Sequence, residues 1–377
     1  MTEADVLPIA REHAAETEAL GHLHPAVFDA LVAAGTLRRW VSSDVGGEDA
    51  TVTEVLRSIE HTSRADGATG WCVMIANTTA LTSHRLSAEW ANTIFSDAAA
   101  CTGGFGMPAG TARVVPGGLE VTGEWAWGSG TDHCTWIGGG VRVVDEDGAP
   151  AAAPDGGTTP FVFFEPSQVE LLDTWHVSGL KGTASTDYRV DKAFVPDGRW
   201  AQFVDAAPRV DAPLGHFPFF GALAGGVAAV LIGLAERAID ELVLLGEKRP
   251  SGSRKSLSER APVQADLARA KANVAQSRSW LHETTDRVWA DAANGGTLTD
   301  QNKVDLRLAA AAAADRCLQA VDLCYHAGGG AAVYETSPLQ RVFRDAHVAQ
   351  SHGMIAPRML EPLGRHAFGL PTDVTRF

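Results

Sequence analysis

At 377 residues the chain is long enough for two or three packed domains, and its 45% hydrophobic and 20% charged content is that of an ordinary globular protein. A formal charge of −15 excludes a general affinity for nucleic acid or anionic membrane, and leaves an anionic cofactor only a local basic site. The five cysteines (Cys72, Cys101, Cys134, Cys317, Cys324) form no CxxC pair, which argues against a zinc or disulfide framework and for reduced thiols in a cytoplasmic protein.

The N-terminus is polar and acidic, without the apolar core of a signal peptide. Leu20, Leu23, Val27, Leu31 and Leu37 recur at helical spacing, and Thr53 to Arg64 is a second amphipathic run. Ala68 to Leu81, rich in small apolar residues, predicts a buried helix carrying Trp71. The texture changes near Ala99. Leu119–Trp127, Thr135–Val144, Pro160–Glu165 and Tyr188–Val195 then read as strands, with Asp145–Thr159 a surface loop. No helix of useful length separates them, so an antiparallel barrel or sandwich is expected.

After Asp211 the helical pattern returns over 217–247, 260–291, 300–327 and 338–356, the mark of a four-helix bundle. Phe217 to Ala235 runs 19 residues without a charge. It contains Pro218 and four glycines and has no basic flanks, so a helix buried inside the bundle is expected rather than a membrane span. The predicted architecture is α+β and mostly α: a helical domain (1–98), a β domain (99–208) and a C-terminal helical bundle (209–377).

No Rossmann turn, P-loop, GxSxG elbow or HExxH motif is present. His347 and His352 are five apart and share no helix face, so no metal site is predicted. Three segments stand out: Gly123–His133 (GEWAWGSGTDH), Asp173–Ser185 (DTWHVSGLKGTAS) and Arg341–Asp345 (RVFRD), with His352 eight residues after Arg344. In this order, with Val195-Pro196 closing a strand and Tyr325–Gly330 preceding the Arg344-Asp345 pair, the chain resembles the acyl-CoA dehydrogenase superfamily over nearly its whole length.

Within that superfamily, DTWHVSGLKGTAS and WGSGTDHCTW are similar to the DTWxxxGxRGTGS phrase and the SG-aspartate-histidine turn of the two-component flavin monooxygenases. The resemblance implies reduced flavin (FMN or FAD) supplied by a separate reductase, and O₂ trapped as a flavin C4a-hydroperoxide. One oxygen atom would then pass to a small, aromatic or polyketide-like substrate, in a homotetramer.

Many acyl-CoA dehydrogenases carry a catalytic glutamate shortly after the Arg-Asp pair. Here Ala346 to Gly353 contains no carboxylate and ends on His352-Gly353, so His352 is expected to act as base or as partner to the oxygenated flavin. Ser129 is expected to donate a hydrogen bond near flavin N5. Trp125, Trp127 and Trp175 would pack on the flavin ring or in the β core, and Lys181, Thr183 and Ser185 would hold a phosphate. Arg254 matches a family arginine that contacts the cofactor. Asn77 stands near the place of a substrate-binding histidine in related aromatic hydroxylases, with His84 the nearest histidine. Two other readings remain: a dehydrogenase whose base is Glu236, Glu241 or Glu335, and a non-catalytic scaffold of the same fold.

Overall fold

The computed structural model describes residues 1–203, 206–249, 252–295 and 298–377. Six helices come first: α1 (Glu3–Glu12), α2 (Ala14–Leu20), α3 (Pro25–Ala33), α4 (Val52–Ala65), α5 (Gly67–Ala80) and α6 (Ala88–Phe95). The hydrophobic run from Leu20 to Leu37 is not one helix. Gly21, at φ 76°, ends α2, and Pro25 opens α3 at a position where its missing N–H costs nothing. Thr51 and Glu54 form a capping box before α4, and the Asp66 carboxylate caps α5 by accepting from Thr69 N–H at 2.8 Å.

Seven strands follow among the described residues: β1 (Thr102–Val115), β2 (Gly118–Gly128), β3 (Trp136–Val144), β4 (Phe161–Phe164), β5 (Glu170–Leu171), β6 (Thr186–Pro196) and β7 (Trp200–Ala201). They form one sheet in the order β5-β6-β2-β1-β3-β4-β7. The expectation of a wholly antiparallel sheet needs one correction. β1 and β3 run parallel, Thr102 opposite Trp136 and Arg113 opposite Val144, while the other pairs are antiparallel. The reason is topological. The β1–β2 hairpin returns the chain to the end of the sheet where β1 began, and residues 129–135 then carry it past β1 to start β3 from that same end. The Ser-Gly-Thr-Asp-His-Cys-Thr segment is this connection.

The helices after the sheet are α7 (Pro213–His216), α8 (Phe219–Leu244), α9 (Ala261–Ala293), α10 (Asp300–Gly328), α11 (Pro338–Gln350) and α12 (Leu360–Ala367). The α11 helix stops at Gln350, short of the 356 its periodicity predicts, so His352 lies on the turn beyond it. Among the described residues α8 is the one helix long and apolar enough to cross a membrane, and it lies buried against α4, α5, α9, α10 and α11. Its small residues let the backbones approach. A Cβ on Gly233 would stand 2.3 Å from the Glu60 carbonyl oxygen on α4.

That contact makes a prediction. Gly233→Ala forces α8 off α4 and is expected to cost about 1–3 kcal/mol in urea unfolding. Gly364→Ala, in α12 with open space around it, is expected to add about 0.5–1 kcal/mol. Equal effects at both positions would show that the close approach carries no strain.

Candidate active site

The connection after β2 and the loop before β6 meet in a chain of buried hydroxyls. Trp71, on α5, donates its indole N–H to Ser129 Oγ at 2.9 Å. Ser129 Oγ lies 2.6 Å from Ser185 Oγ, and Ser185 Oγ lies 2.6 Å from Thr183 Oγ1. Thr183 Oγ1 donates to the Leu180 carbonyl at 2.8 Å. A hydroxyl has one hydrogen to give. Because that of Thr183 goes to Leu180, Ser185 must donate to Thr183 and Ser129 must donate to Ser185. The Ser129 hydrogen therefore points into the protein, and one lone pair on Ser129 Oγ remains open.

The far end of this relay is anchored to α11. Leu180 N–H donates to Asp345 Oδ1 at 2.6 Å, and the neighbouring Arg344 donates to the Ser178 carbonyl and, at 2.5 Å, to Glu18. Burial raises the Asp345 carboxyl to about 7, against the opposing pull of the Leu180 hydrogen bond. Backbone strain gathers at the same place. Trp127 (φ 59°), Leu180 (φ 52°) and Ala184 (φ 45°) are three of the five non-glycine residues at positive φ among those described. Each costs on the order of 1–3 kcal/mol, and such strain clusters at functional sites.

His352 approaches from the turn after α11. Its ring meets Trp71 edge-on, centroids 5.6 Å apart, and its Nδ1 accepts from Met354 N–H at 3.3 Å. The hydrogen of the neutral imidazole is therefore on Nε2, and His352 has a donor to offer rather than a free basic nitrogen. Burial, reinforced by Arg307 and Arg358, holds its pKa down at about 4. Arg307 on α10 is fully buried and pairs with no carboxylate among the described residues. It donates to the Met354 carbonyl (3.4 Å) and the Arg376 carbonyl (2.6 Å), and it lies 5.7 Å from the Phe377 ring centroid. Phe377 in turn lines a cavity of about 170 Å³ walled by Phe203, Phe217, Phe219, Arg85 and Lys303.

Comparison with known proteins places this arrangement. Residues 225–357 match the family described as acyl-CoA dehydrogenase, C-terminal domain. The chain is 28% identical to the flavin-dependent monooxygenase oxygenase subunit HsaA of Rhodococcus jostii (strain RHA1), covering 98% of each. It is 27% identical to an indole-3-acetate monooxygenase from Pseudomonas putida, covering 92% of this chain and 88% of that one. The crystal structure of 3-HSA hydroxylase from Rhodococcus sp. RHA1 superposes with a TM-score of 0.91 at 26% identity, over 99% of this chain and 97% of the other. Residues 225–357 thus carry the acyl-CoA dehydrogenase C-terminal domain match, and over nearly its whole length the chain is similar to flavin-dependent monooxygenases in sequence and fold.

Of the residues singled out in the sequence, the fold brings together Ser129, Thr183, Ser185 and His352, with Trp175 and Lys181 beside them. Trp175 is half-buried and donates to the Leu180 carbonyl at 3.2 Å; Lys181 opens the short turn that carries Thr183. The two tryptophans of β2 divide. Trp125 is fully buried and stacks on Tyr188, whereas Trp127 is 60% exposed with Phe105 against it. The fold does not bring Asn77 into the group. Its amide is spent inside the helical domain, accepting from Trp40 N–H and donating to the Thr36 and Val73 carbonyls. His84 is likewise enclosed in the core, 3.2 Å from Asp49, and burial lowers its pKa. Arg254 is exposed on the loop between α8 and α9, with no bond to the hydroxyl chain. Trp71 and Arg307 are the residues sequence reasoning missed. Trp71 carried only the signal of a tryptophan in a small-residue helix, and Arg307 looked like any arginine on a long helix.

Three outcomes follow. Ser129→Ala leaves the Trp71 N–H unpaired in a buried place and is expected to cost about 1–3 kcal/mol. The Ser129→Ala/Ser185→Ala double variant is expected to cost less than the sum of its singles by about 0.5–3 kcal/mol, because the two hydroxyls form one network; strict additivity would contradict this. Asp345, raised in the folded state, favours folding when protonated. That contribution is present below its unfolded value near pH 4 and is lost as pH rises through about 7. Asp345→Asn is therefore expected to gain stability relative to wild type as the pH of chemical unfolding rises from 5 to 8, and a constant difference would refute the assignment.

Proposed function

We propose that this protein is the oxygenase component of a two-component flavin-dependent monooxygenase acting on a small, aromatic or polyketide-like molecule. The observation that carries the reading is the pairing of the Trp71–Ser129–Ser185–Thr183 relay with a neutral His352 at a site without a catalytic carboxylate. The two flavin-dependent and indole-3-acetate monooxygenases that align along nearly the whole chain support it.

The residues fit a flavin. Trp127 offers an exposed indole face, Lys181 and the hydroxyls of its turn suit a phosphate, and Ser129 keeps an open lone pair. That lone pair accepts rather than donates, which matches reduced flavin, whose N5 carries a hydrogen, better than oxidised flavin. Reduced flavin, when bound, would supply the electrons that activate O₂, one atom of which is delivered to substrate. The chain supplies orientation through Ser129, a hydrogen-bond donor at His352 Nε2, and the aromatic cavity beside Arg307 for substrate. A separate reductase supplies the reduced flavin, either FMN or FAD.

The dehydrogenase alternative lacks a base here. Glu241 is committed to Arg237 at 2.6 Å, Glu236 to Arg278 at 2.9 Å, and Glu335 is exposed beyond α10. We also propose a cytoplasmic homotetramer assembled through the C-terminal bundle. Exposed apolar side chains on α8 and α9 (Val243, Leu244, Trp280) support it, as do the unpaired thiols.

The test is incubation with reduced FMN or FAD, ¹⁸O₂ and a panel of phenols and indoles; one ¹⁸O atom is expected in the product. Flavin reduction by an acyl thioester without oxygen uptake would return the dehydrogenase reading. His352→Ala is expected to lower product by about 10²–10⁴ while oxygen is still consumed as hydrogen peroxide. His352→Asn, which keeps a donor, is expected to recover part of the loss. A histidine held at about 4 stays neutral as pH falls from 8 to 5, so the wild-type rate should show no inflection near the usual 6.5 from this group. An inflection there that vanishes in His352→Asn would show that the imidazole titrates in turnover.

A further inference from the structure

Arg307 stands on α10 between the turn that carries His352 and residues 373–377. Its guanidinium is a rigid fork of donors. One terminal nitrogen donates to the Met354 carbonyl at 3.4 Å and the other to the Arg376 carbonyl at 2.6 Å, while Nε has no hydrogen-bond partner among the described residues. The side chain is fully buried, and burial alone pulls its pKa down to about 10. Met354 in turn donates its N–H to His352 Nδ1 at 3.3 Å, and Ile355 and Ala356 close the turn by donating their N–H groups to the His352 carbonyl. On the other side, Val374 and Phe377 pack with Val304, one turn before Arg307 on α10, and Phe377 N–H donates to the Val374 carbonyl at 3.1 Å. Thr375 and Phe377 both line the cavity of about 170 Å³. One guanidinium therefore grips the histidine turn and the cavity wall at once.

We propose that Arg307 is a positioning residue that couples occupancy of this cavity to His352, and that Phe377, held in place by Arg307, limits the cavity to a single-ring aromatic substrate. A guanidinium taken out of water without a counter-ion is destabilising, and an aliphatic side chain would fill the same interior without that penalty. What the fork adds is geometry: it fixes two carbonyls from separate segments relative to each other. The N–H and the carbonyl of Met354 lie on adjoining peptide units, so holding the carbonyl restrains the N–H. That N–H in turn keeps the hydrogen of His352 on Nε2. A cavity of about 150 Å³ holds one benzene, so about 170 Å³ admits one ring while Phe377 stays in place. A ring seated there presses on Phe377, and the Arg376 carbonyl, Arg307 and Met354 carry that restraint to His352.

The roles given to His352 and to the ring rest on the oxygenase reading. On that reading a filled cavity steadies the Nε2 donor, and an empty one leaves the His352 turn more loosely held. Arg307 acts through Met354, and its effect on the reaction is an effect on His352.

The experiment has three arms, all on the full chain. Calorimetry without flavin is expected to show phenol binding to wild type, and 1-naphthol binding about tenfold or more tighter to Phe377→Ala than to wild type. No phenol binding, or equal 1-naphthol affinity in the two proteins, overturns the size limit. Amide exchange read by mass spectrometry over residues 350–359 is the second arm. Phenol is expected to slow it in wild type but not in Arg307→Met, which loses a charge that had no counter-ion and should still fold and bind phenol. An unchanged rate in wild type, or equal slowing in Arg307→Met, overturns the coupling. Arg307→Lys keeps the charge without the fork and should show reduced slowing; full slowing there overturns the two-carbonyl grip, and this variant decides alone if Arg307→Met does not fold. The third arm adds reduced flavin and ¹⁸O₂. Arg307→Met should lower product per O₂ with little change in KM for phenol, and Arg307→Met/His352→Ala should fall no further than His352→Ala. Losses that multiply would show Arg307 acting apart from His352 and sink the positioning role. No ¹⁸O product from wild type, with the first two arms as expected, counts against the oxygenase reading and leaves the coupling and the size limit standing.

Discussion

Leu180 sits at φ 52°, a conformation that costs a residue with a Cβ roughly 1–2 kcal/mol, and it is held there by the Asp345 carboxylate 2.6 Å from its N–H. Everything else at the site descends from that restraint. With its N–H fixed, the Leu180 carbonyl is aimed to accept from Thr183 and Trp175 together. Thr183 sets the direction of the Ser185 and Ser129 hydroxyls, and Ser129 receives the Trp71 indole. Trp71 in turn packs its ring against His352, seven residues beyond Asp345. The circuit starts on α11 and returns to the end of α11. It passes through the sheet domain and the N-terminal helices on the way, so three parts of the chain are locked into one geometry by a single buried acid.

The electrostatics of the circuit are unusual for so acidic a chain. The formal charge of −15 resides mainly on the surface, while the interior around His352 contains a guanidinium, Arg307, with no carboxylate partner among the described residues, and a carboxyl, Asp345, that burial pushes up to about 7. Near neutral pH the site therefore presents hydroxyls, an uncharged imidazole and a nearby positive charge. A proton-abstracting dehydrogenase needs an ionised carboxylate facing substrate, and here the buried glutamates Glu60 and Glu241 are already paired with Arg278 and Arg237. A site that must favour an electron-rich, oxygen-bearing partner gains from the arrangement observed.

The fold was largely legible in the sequence because its signals are long. Four extended helical runs, a glycine-rich stretch of alternating residues and an uncharged α8 survive any local error of a few residues. The parallel β1–β3 pair was not legible, since strand direction depends on which side of β1 the 129–135 connection passes, and periodicity does not encode that. At the site, the resemblance to the flavin monooxygenases pointed to Ser129, Thr183, Ser185 and His352, and the fold brings these four side by side with Trp71 among them. Asn77 was misdirected, because a polar residue on a buried helix reads the same whether it faces a substrate or, as here, three backbone groups. Arg307 was invisible for the opposite reason: the absence of a buried partner is a property of the fold alone. The direction of the Ser129 hydroxyl could be fixed only by following hydrogens from Leu180 backwards.

Trp127 shows how far local rules bend at this site. Alternation along β2 places Trp125 and Trp127 on the same face, yet one is fully buried and the other 60% exposed. Between Trp125 and Gly128 the register against β6 gains one residue on the β2 side, a bulge, and Trp127 absorbs it at φ 59°. Turning a large indole outward forfeits roughly 1.5–3 kcal/mol of burial, and the left-handed backbone adds to that cost. Neither expense is recovered within the chain, because Phe105 covers only one edge of the ring. A flat aromatic ligand laid on the open face would recover both. On the proposed reading the flavin ring is that ligand, and the bulge that exposes Trp127 is the same feature that sends the chain into the Ser129 turn.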